Sequence, residues 1–291
     1  MITNKNTKWI VLAGLAPALF VYAVFSIAPI FISFYYSFMS WDGFSEMRYI
    51  GFDNFKKLFG DSVFWHSLLN NGYVILASVV GQLSIALFIA LLMNRKLRGL
   101  KFFRTVGFIP VIFSSVVVAL TWSLIYNSET GLLNEFLRLI GLDSWAQNWL
   151  GDTKYAMLSV CVTIIWQFIG LYLMIFLAAL QNISGEILEA SAIDGASEWT
   201  KTTKIIIPMM KETIFAAIVL AISGSLKTFD QIFVMTLGGP AHATEVTAIY
   251  MYNKSFDTLQ FGYGSSVAVV IFIVGIALIA MVNKLMGQRT N

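Results

Sequence analysis

Charge is scarce in this chain, and so are the residues from which reactive chemistry is usually built. Only 12% of the 291 residues are charged, whereas 58% are hydrophobic and the mean hydropathy is +0.76. A soluble globular domain carries about 25% charged residues, so that class is excluded and an integral membrane protein remains. The lone cysteine, Cys161, lies in the apolar run LSVCVTIIW and has no partner in the chain, which rules out an internal disulfide framework and a thiolate metal site. The two histidines, His66 and His242, fall in different loops outside the apolar runs, so no metal site is expected. An intramembrane enzyme needs a nucleophile and a base at membrane depth, and no histidine is available there. No GxxxxGK[ST] segment occurs, so nothing in the chain looks able to hydrolyse ATP. The formal charge of +3 does not point to nucleic acid, because the basic residues gather at the ends of the hydrophobic runs.

Those runs are what the chain has in abundance. Six of them reach the ~20 apolar residues that a bilayer crossing needs. They lie near Trp9 to Phe34, Asn71 to Met93, Phe102 to Tyr126, Tyr155 to Leu180, Thr213 to Thr236 and Tyr263 to Val282. The first follows Lys5 and Lys8 as a signal peptide would, but its apolar stretch runs past the usual ~7–15 residues, so it is read as a retained helix. With a cytoplasmic N-terminus, Lys5, Lys8, Arg95, Lys96, Arg98, Lys101, Arg104, Lys201, Lys204, Lys211, Lys284 and Arg289 lie inside. They outnumber Arg48, Lys56, Lys57, Arg138, Lys154 and Lys254 outside, as the positive-inside rule asks. The expected fold is all-α: one polytopic transmembrane domain over residues 1–291, with six spans and both termini in the cytoplasm of a prokaryotic cell.

One long polar stretch interrupts the second half of the chain. It reads EASAIDGASEWTKTTKIIIPMM, from Glu189 to Met210, and the charge distribution puts it on the cytoplasmic side. Ser184 is a candidate N-cap with Glu186 in the first turn, and Asp194-Gly195 is a turn signal. A second helix is expected to start at Ser197 and to stop before Pro208, since the residue before a proline is pushed out of the helical region. The resulting hairpin, residues 184–208 between the fourth and fifth spans, carries small residues at Ala190, Ser191, Ala192 and Ala196 and a large contact surface at Trp199. Such a surface suits either a docking partner or the lipid headgroups.

The spacing of Glu189-Ala190-Ser191, then Gly195, then Ile205 and Ile207-Pro208 resembles the cytoplasmic signature loop of permease subunits of binding-protein-dependent ABC importers. That loop usually reads Glu-Ala-Ala, Gly and Ile-x-Leu-Pro, so Ser191 and Ile207 are departures of similar size. The segment ASAIDGASEWTKTTKIIIP resembles the carbohydrate branch, and FDQIFVMTLGGPAHAT, Phe229 to Thr244, is similar to the fifth-span exit of maltose-type sugar permeases. The echoes GFDNF, SLLNN and GLLNEFLRLIG extend the resemblance over nearly the whole chain. It implies a permease that imports a di- or oligosaccharide by alternating access. The implied partners are a second homologous permease, a dimer of ATP-hydrolysing subunits holding ATP and Mg, and an extracytoplasmic solute-binding protein. No cofactor is implied in this chain. The hairpin then becomes the element that docks on the ATPase through Glu189, Ala190, Ser191, Asp194, Gly195, Ile205 and Pro208. Glu189 is implied to pair with a donor, and Gly195 to set the angle between the helices.

The solute path is less legible. An ionisable residue at membrane depth costs at least ~2.5 kcal/mol and is a functional candidate by default. Lys227 and Asp230 qualify; three residues apart on a helix they share a face. They either line a solute cavity with Gln231 or form a structural ion pair near the outer interface, where Lys can snorkel. Thr121, Trp122, Trp166, Gln167 and Ser225 are further path candidates, because aromatic rings and amides suit sugars. Lys227 also leaves room for a sugar phosphate or a uronate as solute. An ion-coupled secondary transporter is the other class that could use this pair, although matching broken helices in two halves are not visible in the sequence. The basic link from Arg95 to Arg104 reads chiefly as an orientation signal facing anionic lipid. The outside segment from Asn127 to Lys154, with Trp145 and Trp149, fits either a binding-protein contact or an aromatic lipid anchor.

Overall fold

The computed structural model describes residues 5–94 and 99–287. Arg95, Lys96 and Arg98 of the basic link, and Arg289, lie outside the described residues. The chain is mostly helical: α1 (Gly14–Ser37), α2 (Asp53–Phe59), α3 (Ser62–Met93), α4 (Leu100–Ile112), α5 (Ser115–Ile125), α6 (Leu132–Leu139), α7 (Ala156–Gln181), α8 (Gly185–Ile193), α9 (Glu198–Met209), α10 (Lys211–Leu226), α11 (Asp230–Thr236), α12 (Thr247–Tyr252) and α13 (Phe261–Gly287). A short antiparallel ribbon of β1 (Met39–Ser40) and β2 (Arg48–Tyr49) sets Met39 opposite Tyr49.

Among the described residues, four helices, α1, α3, α7 and α13, are long and apolar enough to cross a membrane alone, and the number rises to six if two bent pairs each count as one crossing. The first bend departs from the straight span expected from Phe102 to Tyr126, whereas the second lies between the hairpin and the fifth expected span. The pair α4 and α5 turns through 98° at Phe113 and Ser114, whose backbones are extended. The pair α9 and α10 turns through 66°. The run from Thr213 to Thr236 is also not one helix: α10 ends at Leu226, Phe229 has left the helical region with φ −132°, and α11 starts at Asp230.

Proline acts differently from the expectation at Pro208. The second hairpin helix does not stop before it but runs through to Met209. The turn ahead of the proline is widened, with the Ile207 N–H bonded to the Thr202 carbonyl five residues back. A wide turn makes room for the ring and absorbs the missing N–H, which a regular α-helix cannot. The same device precedes Pro29, where the Ala28 N–H bonds to the Ala23 carbonyl.

The chain divides into two compact units. The smaller one comprises the residues up to Asp61 with Met251–Phe272. In it the Asn54 amide donates to the carbonyls of Ser37 and Met39, 2.9 Å each, tying α2 to the end of α1. A Cβ at Gly262 would lie 1.9 Å from the Met39 carbonyl oxygen, so only glycine lets the start of α13 meet the ribbon.

The larger unit, Ser62–Tyr250 with residues from Ile273 onward, is organised around α7. The most apolar window of α7 is 56% buried whereas that of α1 is 0% buried, so α7 is the pillar and α1 keeps its greasy surface for lipid or another chain. Leu83, Ala86 and Ala90 of α3 pack with Tyr172, Phe176, Leu177 and Leu180 of α7, and with Ala217 and Ala221 of α10. Lipid is as apolar as leucine, so close packing rather than dehydration must hold such helices together. Gly170 shows it: a Cβ there would sit 2.0 Å from the Gly107 carbonyl oxygen, where α4 crosses α7 backbone to backbone.

Candidate functional site

Two places in the larger unit collect the residues singled out by sequence. The first is the hairpin of α8 and α9. Ser184 caps as expected, accepting from the Glu186 N–H at 3.3 Å, and Ser197, expected to begin the second helix, caps it by accepting from the Thr200 N–H at 3.2 Å. Between the helices, the Gly195 N–H bonds to the Ala192 carbonyl at 3.1 Å and the Ala196 N–H to the Ser191 carbonyl at 3.0 Å. This paired closure needs a left-handed residue, and Gly195 supplies it at φ +79°. A Cβ at Gly195 would meet nothing within 4 Å, so conformation, not space, requires the glycine here.

The hairpin has an unusually apolar exposed surface for a polar segment. Ile193 is 86% exposed and Trp199 77%, with Ile187 and Met209 also uncovered. Glu189, Ala190 and Asp194 are exposed beside them, and Glu189 forms no ion pair among the described residues. Ser191 turns the other way: it is buried and its hydroxyl donates to the Leu188 carbonyl at 2.7 Å. Ile205 is half-buried and Pro208 exposed.

The second place is a cavity of about 310 Å³ where the helix breaks converge. Ser78 and Gln82 reach it from α3, Ser115 from the start of α5, Ile164, Phe168, Leu171 and Tyr172 from α7, and Ser225, Lys227, Thr228, Phe229, Asp230 and Gln231 from the break between α10 and α11. Irregular backbone at membrane depth is tolerated only where protein covers it or a polar cavity hydrates it. Both breaks meet that condition through one chain of hydrogen bonds. The Gln167 amide donates to the Phe113 carbonyl freed at the first break, 3.1 Å, and accepts from the Gln231 amide at the second, 2.7 Å. Gln167 is 1% exposed and Gln231 3%.

Of the expected path residues, the structure thus brings Ser225, Lys227, Asp230 and Gln231 to the cavity wall and sets Gln167 behind it as a strut. Thr121, Trp122 and Trp166 are not among the residues that line it. Thr121 donates to the Val117 carbonyl, and the two indoles meet edge to face at 5.5 Å. The shared helical face of Lys227 and Asp230 is corrected as well. A helix end lies between them, and among the described residues no ion pair joins them. Within the segment from Asn127 to Lys154, Trp149 is structural, its indole N–H donating to Asn134 at 2.7 Å, while Trp145 is 64% exposed.

The polar lining residues Ser78, Gln82, Ser115 and Thr228 were not singled out by sequence. The signal for Gln82 was present, an amide in the apolar run ASVVGQLSIAL. Its meaning depends on a widened turn over Ala77–Gln82, where the Leu83 N–H bonds to the Ser78 carbonyl. The Gln82 Nε2 is buried and has no hydrogen-bond partner among the described residues, a donor left open beside the cavity. Such an orphan costs about 1–3 kcal/mol.

The family described as binding-protein-dependent transport system inner membrane component matches residues 82–291. The chain is 39% identical over 286 residues to the probable ABC transporter permease protein YurN of Bacillus subtilis, covering 97% of each. It is 31% identical over 291 residues to the diacetylchitobiose uptake system permease protein NgcF of Streptomyces coelicolor, covering 95% of this chain and 82% of that one. Its fold matches, with TM-score 0.86 and 22% identity over 98% of this chain and 96% of the other, a chain of the bacterial alginate ABC transporter solved with an alginate pentasaccharide-bound periplasmic protein.

Proposed function

The chain belongs to the binding-protein-dependent transport system inner membrane components, and from that premise we propose that it passes a carbohydrate into the cytoplasm by alternating access. As a multi-pass permease subunit it is no enzyme, in keeping with its relatives. A binding-protein-dependent permease also leaves little ground for the ion-coupled secondary transporter.

The observation that carries the solute reading is the cavity wall at the two helix breaks. It joins an unpartnered amide donor at Gln82, the hydroxyls of Ser78, Ser115 and Thr228, and the acceptor Asp230 to the rings of Phe168, Tyr172 and Phe229. Sugars present hydroxyls around the rim of the ring and C–H groups on its faces, so alternating polar and aromatic walls suit them. About 310 Å³ is at the small end of ligand pockets and fits a sugar ring; a longer oligosaccharide would share a second permease's half of the path. The diacetylchitobiose relative supports a saccharide solute.

The drive comes through the hairpin. Its exposed Ile193, Trp199 and Met209 form an apolar surface flanked by Glu189 and Asp194, suited to a groove on a cytoplasmic ATPase that carries ATP and Mg. Closure of an ATPase dimer would carry the hairpins of two permeases with it and turn the cavity outward, to receive solute from the binding protein; hydrolysis would return it. The residues of this chain act by shape, hydrogen bonding and mechanical contact, and form no covalent bond with solute.

The test is uptake by the assembled transporter in proteoliposomes. Gln82→Leu removes the donor while keeping volume, and is expected to lower uptake at least ten-fold with ATP hydrolysis in the absence of solute unchanged. Unaltered uptake by that variant would remove Gln82 and this cavity from the path. Lys227 at the wall favours a second reading, a uronate or sugar phosphate. Lys227→Met would then abolish uptake of the anionic solute and spare a neutral sugar.

A further inference from the structure

A larger groove, about 730 Å³, lies on another face of α3 and α7 and plays no part in the path just described. His66, Asn70, Tyr73, Leu76, Ala77, Val80 and Gly81 of α3 form one wall, Met157, Leu158 and Cys161 of α7 the other, and Thr153, Lys154, Ala241 and Ala243 its mouth. Its polarity is graded along its length. The basic groups, Lys154 and His66, are both at one end, and no carboxylate is among the lining residues. Beyond Tyr73 the walls are apolar, and Leu76, Val80 and Leu158 are each close to 60% exposed. From His66 to Gly81 the helix rises about 20 Å, enough to run from headgroup level through one leaflet of hydrocarbon, which is about 15 Å deep.

Two neighbouring carboxylates, Asp152 and Glu245, are not among the lining residues. Asp152 folds back to accept the Lys154 backbone N–H at 2.8 Å, and Glu245 is engaged by His242 and only 4% exposed. The roof is fixed too, because the Asn70 amide donates to the carbonyls of His242 and Glu245 at 3.1 and 2.9 Å. A fixed slot, cationic at headgroup level and apolar below, is complementary to an amphiphile with an anionic head.

We propose that this groove binds an anionic phospholipid, its phosphate held by Lys154, Thr153 and His66 and an acyl chain laid along Leu76, Val80 and Leu158. The leaflet is the one at the Ser62 end of α3, which the charge distribution makes the outer leaflet. The site rests on the membrane setting alone, so it stands whether or not the solute is a sugar.

The experiment places a photoactivatable benzoylphenylalanine at Leu158 of the assembled transporter, in nanodiscs with equal parts phosphatidylglycerol and phosphatidylcholine. Irradiation is expected to attach phosphatidylglycerol in clear excess over phosphatidylcholine, and Lys154→Glu is expected to cut that adduct about ten-fold, with Lys154→Arg restoring it. The same probe at Leu120, an exposed position of α5, serves as a folding control and should show no lipid preference or charge dependence. An adduct to another protein subunit at Leu158 would overturn the proposal, as would equal labelling by both lipids or labelling unaffected by the charge reversal.

Discussion

The hairpin of α8 and α9 and the cavity at the helix breaks are built from the same kinds of polar group, joined over different distances. In the hairpin, Ser184, Ser197 and Gly195 find partners within five residues. At the cavity, Gln167 meets the Phe113 carbonyl 54 residues away and the Gln231 amide 64 residues away, Ser225 meets Ser78 across 147, and the Asn71 amide donates to the Ser225 carbonyl across 154. A locally satisfied element can project from the bundle and be pushed by a partner without losing its own shape. A cavity wall held by long-range bonds keeps its shape only while the bundle stays assembled. The difference suits one region to transmit force and the other to present a fixed chemical surface.

The largest expected effect breaks the hairpin alone. Gly195→Leu, forced to φ +79°, and Glu189→Arg should each abolish solute-stimulated ATP hydrolysis by the assembled transporter while membrane insertion and thermal stability stay near wild type. Stimulation that survives both changes would mean that the hairpin is a membrane-surface element. The next breaks the long-range side. Gln167→Leu strands the Phe113 carbonyl and the Gln231 amide, each a loss of about 1–3 kcal/mol, so unfolding temperature and uptake should fall together. If Gln167→Leu left the melting profile unchanged, the strut between the two breaks would be of no structural consequence.

A smaller effect sharpens the contrast. Ser197→Ala removes one cap worth about 1 kcal/mol, and it should weaken ATPase coupling by a few-fold without moving the global melting transition. A shift as large as that of Gln167→Leu would show that the hairpin is not locally self-sufficient. The smallest concerns another short-range motif, the turn at Asp42. The backbone N–H of Ser45, then that of Phe44, and the Ser45 hydroxyl hold its carboxyl below the ordinary 3.8, at about 2. A depressed folded value means that the turn is fully supported above pH 4 and loses that support as pH falls through about 2. Carboxyl carbon shifts of isotope-labelled Asp42 should show the midpoint, and Asp42→Asn should remove it; a midpoint near 3.8 would mean the turn is not formed.

Legibility followed the same division. The Ser184 cap, the helix start at Ser197, the Gly195 turn and the apolar runs could be read from the sequence because each depends on neighbours within a turn or two. Pro208 misled, since the rule that a helix ends before proline holds for regular turns and the chain widens the turn instead. Lys227 and Asp230 were placed on one helical face by their spacing, and the helix end at Leu226 separates them. Gln82 went unremarked because an amide in an apolar run carries no label until the fold shows whether anything bonds to it.

What the sequence determined alone is the solvent and the local grammar: a membrane chain by its shortage of charge, the apolar lengths able to cross, the capped hairpin and its signature residues. Only the tertiary structure decided where the spans break and which polar residues share the cavity. Hydropathy sums over a window and caps act over a turn, so both survive in the linear order. A broken helix is stable only if a partner from elsewhere satisfies its freed backbone, and Gln167 of α7 becomes that partner only when α5 and α11 are packed against it.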